Sequence, residues 1–302
     1  MSRPYHVAVI GLGAMGMGAA RSCLRAGLAT YGIDLCATAR EQLQAAGATA
    51  VMADARPLAE VLDAVLLLVV NAAQVRQILF GECGLAAHLK PGTGVMISST
   101  ISADEAAALA RELAALDLPM LDAPVSGGAI KADAGEMTVM AAGSDAAFER
   151  LQPVLDTVAG KVYRVGSEPG QGSTVKIIHQ LLAGVHIAVA AEAMALASRA
   201  GVSLDLMYDV VTHAAGNSWM FENRMTRVLT GDYQAHSAVD IFVKDLNLVA
   251  DTAKALHFPL PLASTALNMF LTASNAGHGK EDDSAVIKIF DGITLPGQEG
   301  TA

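Results

Sequence analysis

Short apolar, β-branched runs recur along the first half of the chain, separated by longer stretches whose apolar residues follow a helical period. The runs at residues 7–10, 30–33, 65–70, 95–98, 120–122, 138–142 and 162–165 predict strands. Segments rich in Ala, Leu, Glu and Arg, such as residues 14–26, 37–46 and 103–116, predict helices between them. Strands that are apolar throughout and alternate with helices predict a parallel sheet covered on both faces, with right-handed crossovers.

The pattern changes at Gly166. Ser167-Glu168-Pro169-Gly170-Gln171-Gly172 is a turn cluster. Residues 173–200 then read as one long helix without proline, with a single internal glycine, Gly184, and Gly201 as its C-cap. From there to about Phe290 the periodicity is helical only, for example at 204–215, 219–229, 243–256 and 261–276. The expected fold is α/β: a doubly wound parallel sheet over residues 1–166, then an all-α domain over 167–294 that includes the long helix joining the two. Residues 295–302 read as a flexible tail.

Composition narrows the classes. The 302 residues carry 20 Lys and Arg against 30 Asp and Glu, a net charge of −10. That length suits two cores, and an acidic chain without clustered cations argues against general nucleic-acid binding. Mean hydropathy is +0.41, but alanine carries much of it. The longest apolar stretches are about ten residues, against the roughly 20 that a spanning helix needs. The expectation is a soluble, cytoplasmic protein without a membrane partner. Three cysteines, Cys23, Cys36 and Cys83, with no C-x-x-C, argue against a disulfide framework or thiolate metal site and favour a reducing compartment. The segment at 7–20 after Arg3 has the polarity of a signal peptide, but its glycines at 11, 13, 16 and 18 break the helix that reading requires.

Those glycines fit another motif. Gly11-Leu12-Gly13-Ala14-Met15-Gly16 is G-x-G-x-x-G, directly after one predicted strand and opening a helix. Gly11 permits the tight turn, Gly13 lets a pyrophosphate approach the backbone, and Gly16 lets helix and strand pack closely. The helix N-terminus supplies N–H groups for the phosphates. Asp34 ends the next predicted strand, placed to accept hydrogen bonds from ribose hydroxyls and to repel a 2′-phosphate. Arg40, the nearby cation, lies a turn or more beyond, so NAD is preferred over NADP. Val70-Asn71 and Ser98-Ser99-Thr100 end two further strands at the edge where open α/β sheets bind ligands, or else cap the helices that follow.

Two segments carry candidate chemistry. Asp122-Ala123-Pro124-Val125-Ser126-Gly127-Gly128 is a glycine-rich turn that could form an anion nest for a carboxylate, or be an ordinary loop. On the long helix, Lys176, His179, Gln180, Ala183 and His186 fall within about one third of the circumference. Such a stripe on an otherwise apolar helix points to Lys176 as a general base toward an alcohol, the alternative being a solvated surface lysine. His179 and His186 are about 10 Å apart along the axis, too far to share a metal ion. Lys244-Asp245 is a second charged pair, readable as an exposed one, and Trp219 and Phe221 are core or pocket aromatics.

Together these motifs resemble the β-hydroxyacid dehydrogenases, the family of 3-hydroxyisobutyrate dehydrogenase. The resemblance runs from the strand before Gly11 to about Phe290 and rests on residues 11–16, 122–128, 170–180 and Lys244-Asp245-Leu246. It implies a Rossmann-like N-terminal domain, a helical C-terminal domain, NAD as cofactor and a homodimer or homotetramer. It implies that Ser126, Gly127 and Gly128 hold the substrate carboxylate, and that Lys176 is catalytic. Asn71 and Thr100 would lie near the nicotinamide and its ribose, and Lys244 over the cofactor. The family usually has Asn-Asn shortly after the lysine, the second contacting substrate, whereas this chain has His179-Gln180. That pair, with the Asn217-Ser218-Trp219-Met220-Phe221-Glu222-Asn223 string, resembles a branch that oxidises L-threonate, a four-carbon sugar acid, at C2 with NAD. His179, Gln180 and His186 would then meet the additional hydroxyls. Alternatives are oxidation of 3-hydroxyisobutyrate, reduction of tartronate semialdehyde, or a dinucleotide-binding module without catalysis, which the presence of Lys176 disfavours.

Overall fold

The computed structural model describes residues 3–296. The chain divides into two compact units, Met1–Lys176 and Ile177–Ala302. In the first, nine strands are described: β1 (His6–Ile10), β2 (Ala29–Ile33), β3 (Ala50–Met52), β4 (Ala64–Leu67), β5 (Gly94–Ile97), β6 (Met120–Asp122), β7 (Val125–Ser126), β8 (Met137–Ala142) and β9 (Ala159–Gly166). The helices are α1 (Ala14–Arg25), α2 (Ala37–Ala45), α3 (Ala72–Phe80), α4 (Ala103–Ala114), α5 (Gly128–Ala134) and α6 (Asp145–Val158). The sheet order is β3-β2-β1-β4-β5-β6-β8, with β7 and β9 both paired to β8.

The order reverses between β1 and β4, the arrangement that opens a crevice at the carboxyl ends of the strands. Pairing is parallel from β3 through β6. It turns antiparallel where β8 meets β6 and β7. Successive side chains of β1 show why the sheet is covered twice. Val7 and Val9 join a core with Met17, Phe148 and Leu151. Ala8 and Ile10 join another with Val75, Leu79 and Leu109 on the opposite face. Two strands were not legible in the sequence pattern: β7 has only two residues, and β3 is half-buried throughout, without the alternation or full burial that marks a strand. The run at 65–70 leaves the sheet after Leu67, so Leu68 to Asn71 form the turn into α3.

The second unit is helical. Helix α7 (Gln171–Arg199) begins in the first unit and continues into it, and Gly201, at φ +77°, turns the chain just beyond its end. Then come α8 (Leu204–Thr212), α9 (Trp219–Thr230), α10 (Val239–Ala255) and α11 (Pro261–Ala273). Ser203 and Ser218 cap α8 and α9 by accepting from Leu206 N–H and Phe221 N–H. The helical periodicity up to Phe290 resolves into a π-turn at Ser274–His278 and a 3-10 segment at Asp283–Ile289. Met194, Phe221, Met225, Phe242, Leu246, Phe270 and Val286 form the core of this unit. The Phe242 and Phe270 rings stack at 5.2 Å. A fork of hydrogen bonds from Arg224 holds the fully buried Asp283 at 2.6 and 3.1 Å, and Arg227 pairs with Asp282. Leu295, the first residue of the expected tail, is buried in this core, and residues 297–302 lie outside the described residues.

Helix α7 is the one helix among the described residues long and apolar enough to cross a membrane, with a mean hydropathy of 1.7 over its best window. Half of that window is buried within the protein. Lys176, His179, Gln180 and His186 interrupt its apolar positions.

Candidate active site

The turn after β1 is shaped by its glycines. Gly11 has φ +91°, and a Cβ there would stand 2.8 Å from the Leu68 carbonyl oxygen. A Cβ on Gly16 would lie 1.7 Å from the Gly11 oxygen, so no other residue fits that helix turn against the loop. At Gly13, by contrast, a Cβ would meet nothing within 4 Å. The open side of the turn is thus in front of Gly13, where α1 starts with no side chain capping its first N–H groups. That is the space and the donor set a pyrophosphate needs.

Asp34, just beyond β2, accepts from Leu12 N–H at 2.6 Å and from Cys36 N–H at 2.7 Å. Its carboxylate is thereby fixed beside the glycine turn, and a carboxylate has further lone pairs for ribose hydroxyls. Arg40 is closer than its spacing suggests. Helix α2 starts at Ala37 and folds it back, so that its guanidinium donates to the carbonyls of Asp34 at 2.6 Å and Leu35 at 2.9 Å. At the ends of the central strands, Asn71 caps α3, its Oδ1 accepting from Gln74 N–H at 2.9 Å, while Val70 N–H donates to Gln74 Oε1 at 2.8 Å. Ser98 Oγ donates to the Ala123 carbonyl at 2.8 Å. Ser99 Oγ is buried without a hydrogen-bond partner among the described residues, and Thr100 follows half-buried. Glycines with a forced conformation, an open phosphate position, a fixed carboxylate and an orphaned hydroxyl at the carboxyl edge of the sheet all fit a dinucleotide.

Asp122 joins two of the segments singled out above. It ends β6, is 0% exposed, and accepts from Gly170 N–H (2.7 Å), Ser173 N–H (2.8 Å) and Ser173 Oγ (2.7 Å). Burial pushes its carboxyl above the usual range, and the Ser173 and Gly170 bonds oppose that. A Cβ on Gly172 would sit 2.5 Å from the carbonyl oxygens of both Asp122 and Met140, so only glycine lets the start of α7 approach these strands. One carboxylate therefore ties the beginning of the Ser126–Gly128 turn to the first turn of the helix bearing Lys176. In that turn Gly127 and Gly128 have φ of +132° and +69°, and Ser126 is half-buried. Asp122 ends the strand expected at 120–122, and its anchoring of the start of α7 has no signal in the sequence.

Lys176 is buried at 6% exposure, so it is not a solvated surface lysine. One turn on, Gln180 is 7% exposed, and its amide nitrogen donates to Asp245 Oδ2 at 2.5 Å. Gln180 Oε1 stands 3.0 Å from His179 Nδ1, and Lys244 Nζ lies 2.7 Å from Asp245 Oδ1. His186 is half-buried two turns further along the same helix. Asp245 is 2% exposed, which corrects the exposed-pair reading of Lys244-Asp245. Its position explains this: with Phe242, Leu246 and Val249 it lies on the buried face of α10, a helical periodicity present in the sequence. Phe221 is core, stacked on Tyr208, whereas Trp219 is half exposed.

Residues 6–166 match the NAD-binding domain of 6-phosphogluconate dehydrogenase, and residues 170–290 match the NAD-binding domain of NADP-dependent 3-hydroxyisobutyrate dehydrogenase. An Escherichia coli K12 protein named L-threonate dehydrogenase is 73% identical over 293 residues, 97% of each chain. A Cupriavidus necator protein of the same name is 56% identical over 298 residues, 99% of each. A crystal structure described as 3-hydroxyisobutyrate dehydrogenase from Salmonella typhimurium is 71% identical, with a TM-score of 0.92 over 95% of this chain and 100% of that one. With both halves matched by the family models and relatives 56–73% identical over nearly their whole length, the chain belongs to the β-hydroxyacid dehydrogenase family.

Proposed function

We propose that this protein oxidises L-threonate at C2 to 2-oxo-tetronate with NAD. The observation that carries this reading is the row of Lys176, His179 and Gln180, one base and two further polar groups at one-turn spacing on an otherwise apolar helix. Such a row suits an acid with hydroxyls beyond the reacting carbon. The relatives named L-threonate dehydrogenase support it.

In this reading Ser126, Gly127 and Gly128 receive the substrate carboxylate. The Lys176 amine takes the proton of the C2 hydroxyl, and His179 and Gln180 orient the rest of the acid. Gly11, Leu12, Gly13, Ala14, Met15 and Gly16 admit the pyrophosphate, Asp34 takes the adenosine ribose, and Val70, Asn71 and Thr100 flank the nicotinamide end. NAD, when bound, supplies the hydride acceptor. Orientation of the C2 hydroxyl and exclusion of water are the protein's contribution.

The test is NADH formation with L-threonate, D-threonate, D-erythronate, glycerate and 3-hydroxyisobutyrate. A clear preference for L-threonate is expected. A preference for 3-hydroxyisobutyrate would replace the substrate assignment with the second reading, which the Salmonella structure's description favours, and would leave the roles of Lys176 and the glycine turn in place.

The working form is a homo-oligomer in the cytoplasm. Val175, Leu182, Val189 and Leu196 recur every seven residues along α7 and are 38%, 53%, 55% and 68% exposed, with Ile178 beside them. A heptad stripe of this kind favours a second copy of the chain as its cover. Light scattering with Leu182→Glu/Leu196→Glu should give a smaller species than the wild type. Three free thiols, Cys36 and Cys83 exposed, favour a reducing compartment.

A further inference from the structure

Two opposite charges meet at the bend after β2. The carboxylate of Asp34 is fixed by Leu12 N–H at 2.6 Å on one oxygen and by Cys36 N–H at 2.7 Å on the other. The guanidinium of Arg40 is fixed by the backbone of the same bend, its Nη1 donating to the carbonyls of Asp34 at 2.6 Å and Leu35 at 2.9 Å. Backbone groups hold each side chain, and no ion pair joins the two among the described residues. Arginine presents five N–H donors, and those of Nη1 are the ones engaged here. The Nη2 and Nε donors of Arg40 have no partner among the described residues, and the residue is half-buried. The first turn of α2 holds no acidic residue, which leaves Asp34 as the anion of the bend. Glu41 follows in the second turn and is exposed.

We propose that Arg40 is a ready 2′-phosphate site that Asp34 alone keeps closed, so that this chain's choice of NAD over NADP depends on one carboxylate. The proposal rests on the reading above that Asp34 takes the adenosine ribose. NAD and NADP differ at the 2′ position of that ribose, a hydroxyl in one and a phosphate in the other. A carboxylate accepts from the hydroxyl and repels the phosphate, whereas an arginine nearby accommodates the phosphate. These are two alternative solutions to one position, and this bend carries both. The carbonyl and the carboxylate of Asp34 belong to one residue, and the guanidinium is bonded to the carbonyl. A phosphate facing the carboxylate would therefore stand within the roughly 8 Å screening length of the cation. The planar fork of arginine suits a phosphate, and the backbone bonds leave part of that fork unused. Because carbonyls hold Arg40, removing the Asp34 side chain leaves the guanidinium where it is. Its charge is then unopposed at the bend, and the space of the carboxylate is open to the phosphate.

Asp34→Ser tests this by fluorescence titration with NADH and NADPH, two probes that differ only in the 2′-phosphate and whose binding is read without turnover. The ratio of their dissociation constants isolates the phosphate from any change elsewhere in the cofactor site. The wild type should bind NADH more tightly. In Asp34→Ser the ratio should shift toward NADPH by at least about tenfold, the worth of one hydrogen-bonded charge. In Asp34→Ser/Arg40→Met most of that shift should be gone. An equal shift in the single and double variants would overturn the proposal, because relief of repulsion by Asp34 would then account for all of it. A ratio that stays at the wild-type value in Asp34→Ser, with NADH binding weakened, would overturn it as well. NADH binding as tight in Asp34→Ser as in the wild type overturns the placement of the ribose at Asp34 instead. If Asp34→Ser does not fold, Asp34→Asn removes the charge and keeps the shape. Its shift toward NADPH should likewise depend on Arg40, and a shift that Arg40→Met leaves intact overturns the proposal.

Discussion

Asp122 and Asp245 are both buried carboxylates, 0% and 2% exposed, one in each compact unit. Their partners differ in kind. Asp122 receives two backbone N–H groups and the hydroxyl of Ser173, all at the start of α7. Asp245 meets side chains, accepting from the Gln180 amide and forming an ion pair with the Lys244 ammonium. The same contrast runs through the wider site. Around the glycine turn and the Asp122 anchor, the backbone makes the contacts and glycines clear the space. Beyond Lys176 on α7, side chains make them. A backbone-built region can hold a cofactor and a helix start irrespective of most substitutions nearby. A side-chain relay can be retuned by exchanging one residue, and that is where a family sharing one fold can diverge in substrate.

The largest effect expected lies at the junction of the two regions. Lys176→Ala should lower kcat by about 10²–10⁴-fold, the range of a lost general base, while fluorescence titration still shows NAD binding. Equal turnover would remove Lys176 from the chemistry and make the contrast irrelevant to it. Next comes the backbone anchor. Asp122→Ala strands buried donors at the start of α7 and should cost about 2–4 kcal/mol in denaturant unfolding.

Asp122→Asn sharpens this through pH. Burial raises the folded-state pKa of Asp122 above its ordinary value of 3.8, so the folded state binds more protons than the unfolded one in the window above that value. Stability of the wild type therefore falls as pH rises through the window, and the Asn variant lacks that loss. The wild-type advantage in Tm should shrink between pH 4 and pH 7. An advantage that grows would mean that the hydrogen bonds outweigh burial.

A smaller effect is expected at Asp34. Asp34→Ala should weaken NAD binding about tenfold, the loss of one charged hydrogen-bonding group, and narrow the preference over NADP, both read by titration. The smallest belongs to Gly184→Ala. The helix-propensity gain of about 1 kcal/mol roughly offsets the push of the added Cβ on the Leu246 side chain, 2.9 Å away, so Tm should barely move. The discrimination between L-threonate and 3-hydroxyisobutyrate should nevertheless slip, because α7 and α10 separate at the point where Gln180 meets Asp245.

What the sequence determined by itself was local along the chain. G-x-G-x-x-G between a strand and a helix specifies a turn whose glycines have separate steric duties, and each duty is met by an atom one can name: Leu68 O behind Gly11, open space before Gly13, Gly11 O against Gly16. The apolar runs of β1, β4 and β5 specified a doubly covered sheet, because alternate side chains must be buried on both faces. The polar stripe on α7 was legible from helical spacing alone. Tertiary structure decided what those groups face. Asp122 stands at a strand end, and only the fold brings the start of α7 back to it 48 residues later. Asp245 read as half of a surface pair, although its register with Phe242 and Val249 already put it on the buried face of α10. The amide of Gln180 meets a carboxylate 65 residues away, a partner that helical spacing does not name. A buried polar group takes its partner from whatever the fold brings near it, so no local pattern names that partner.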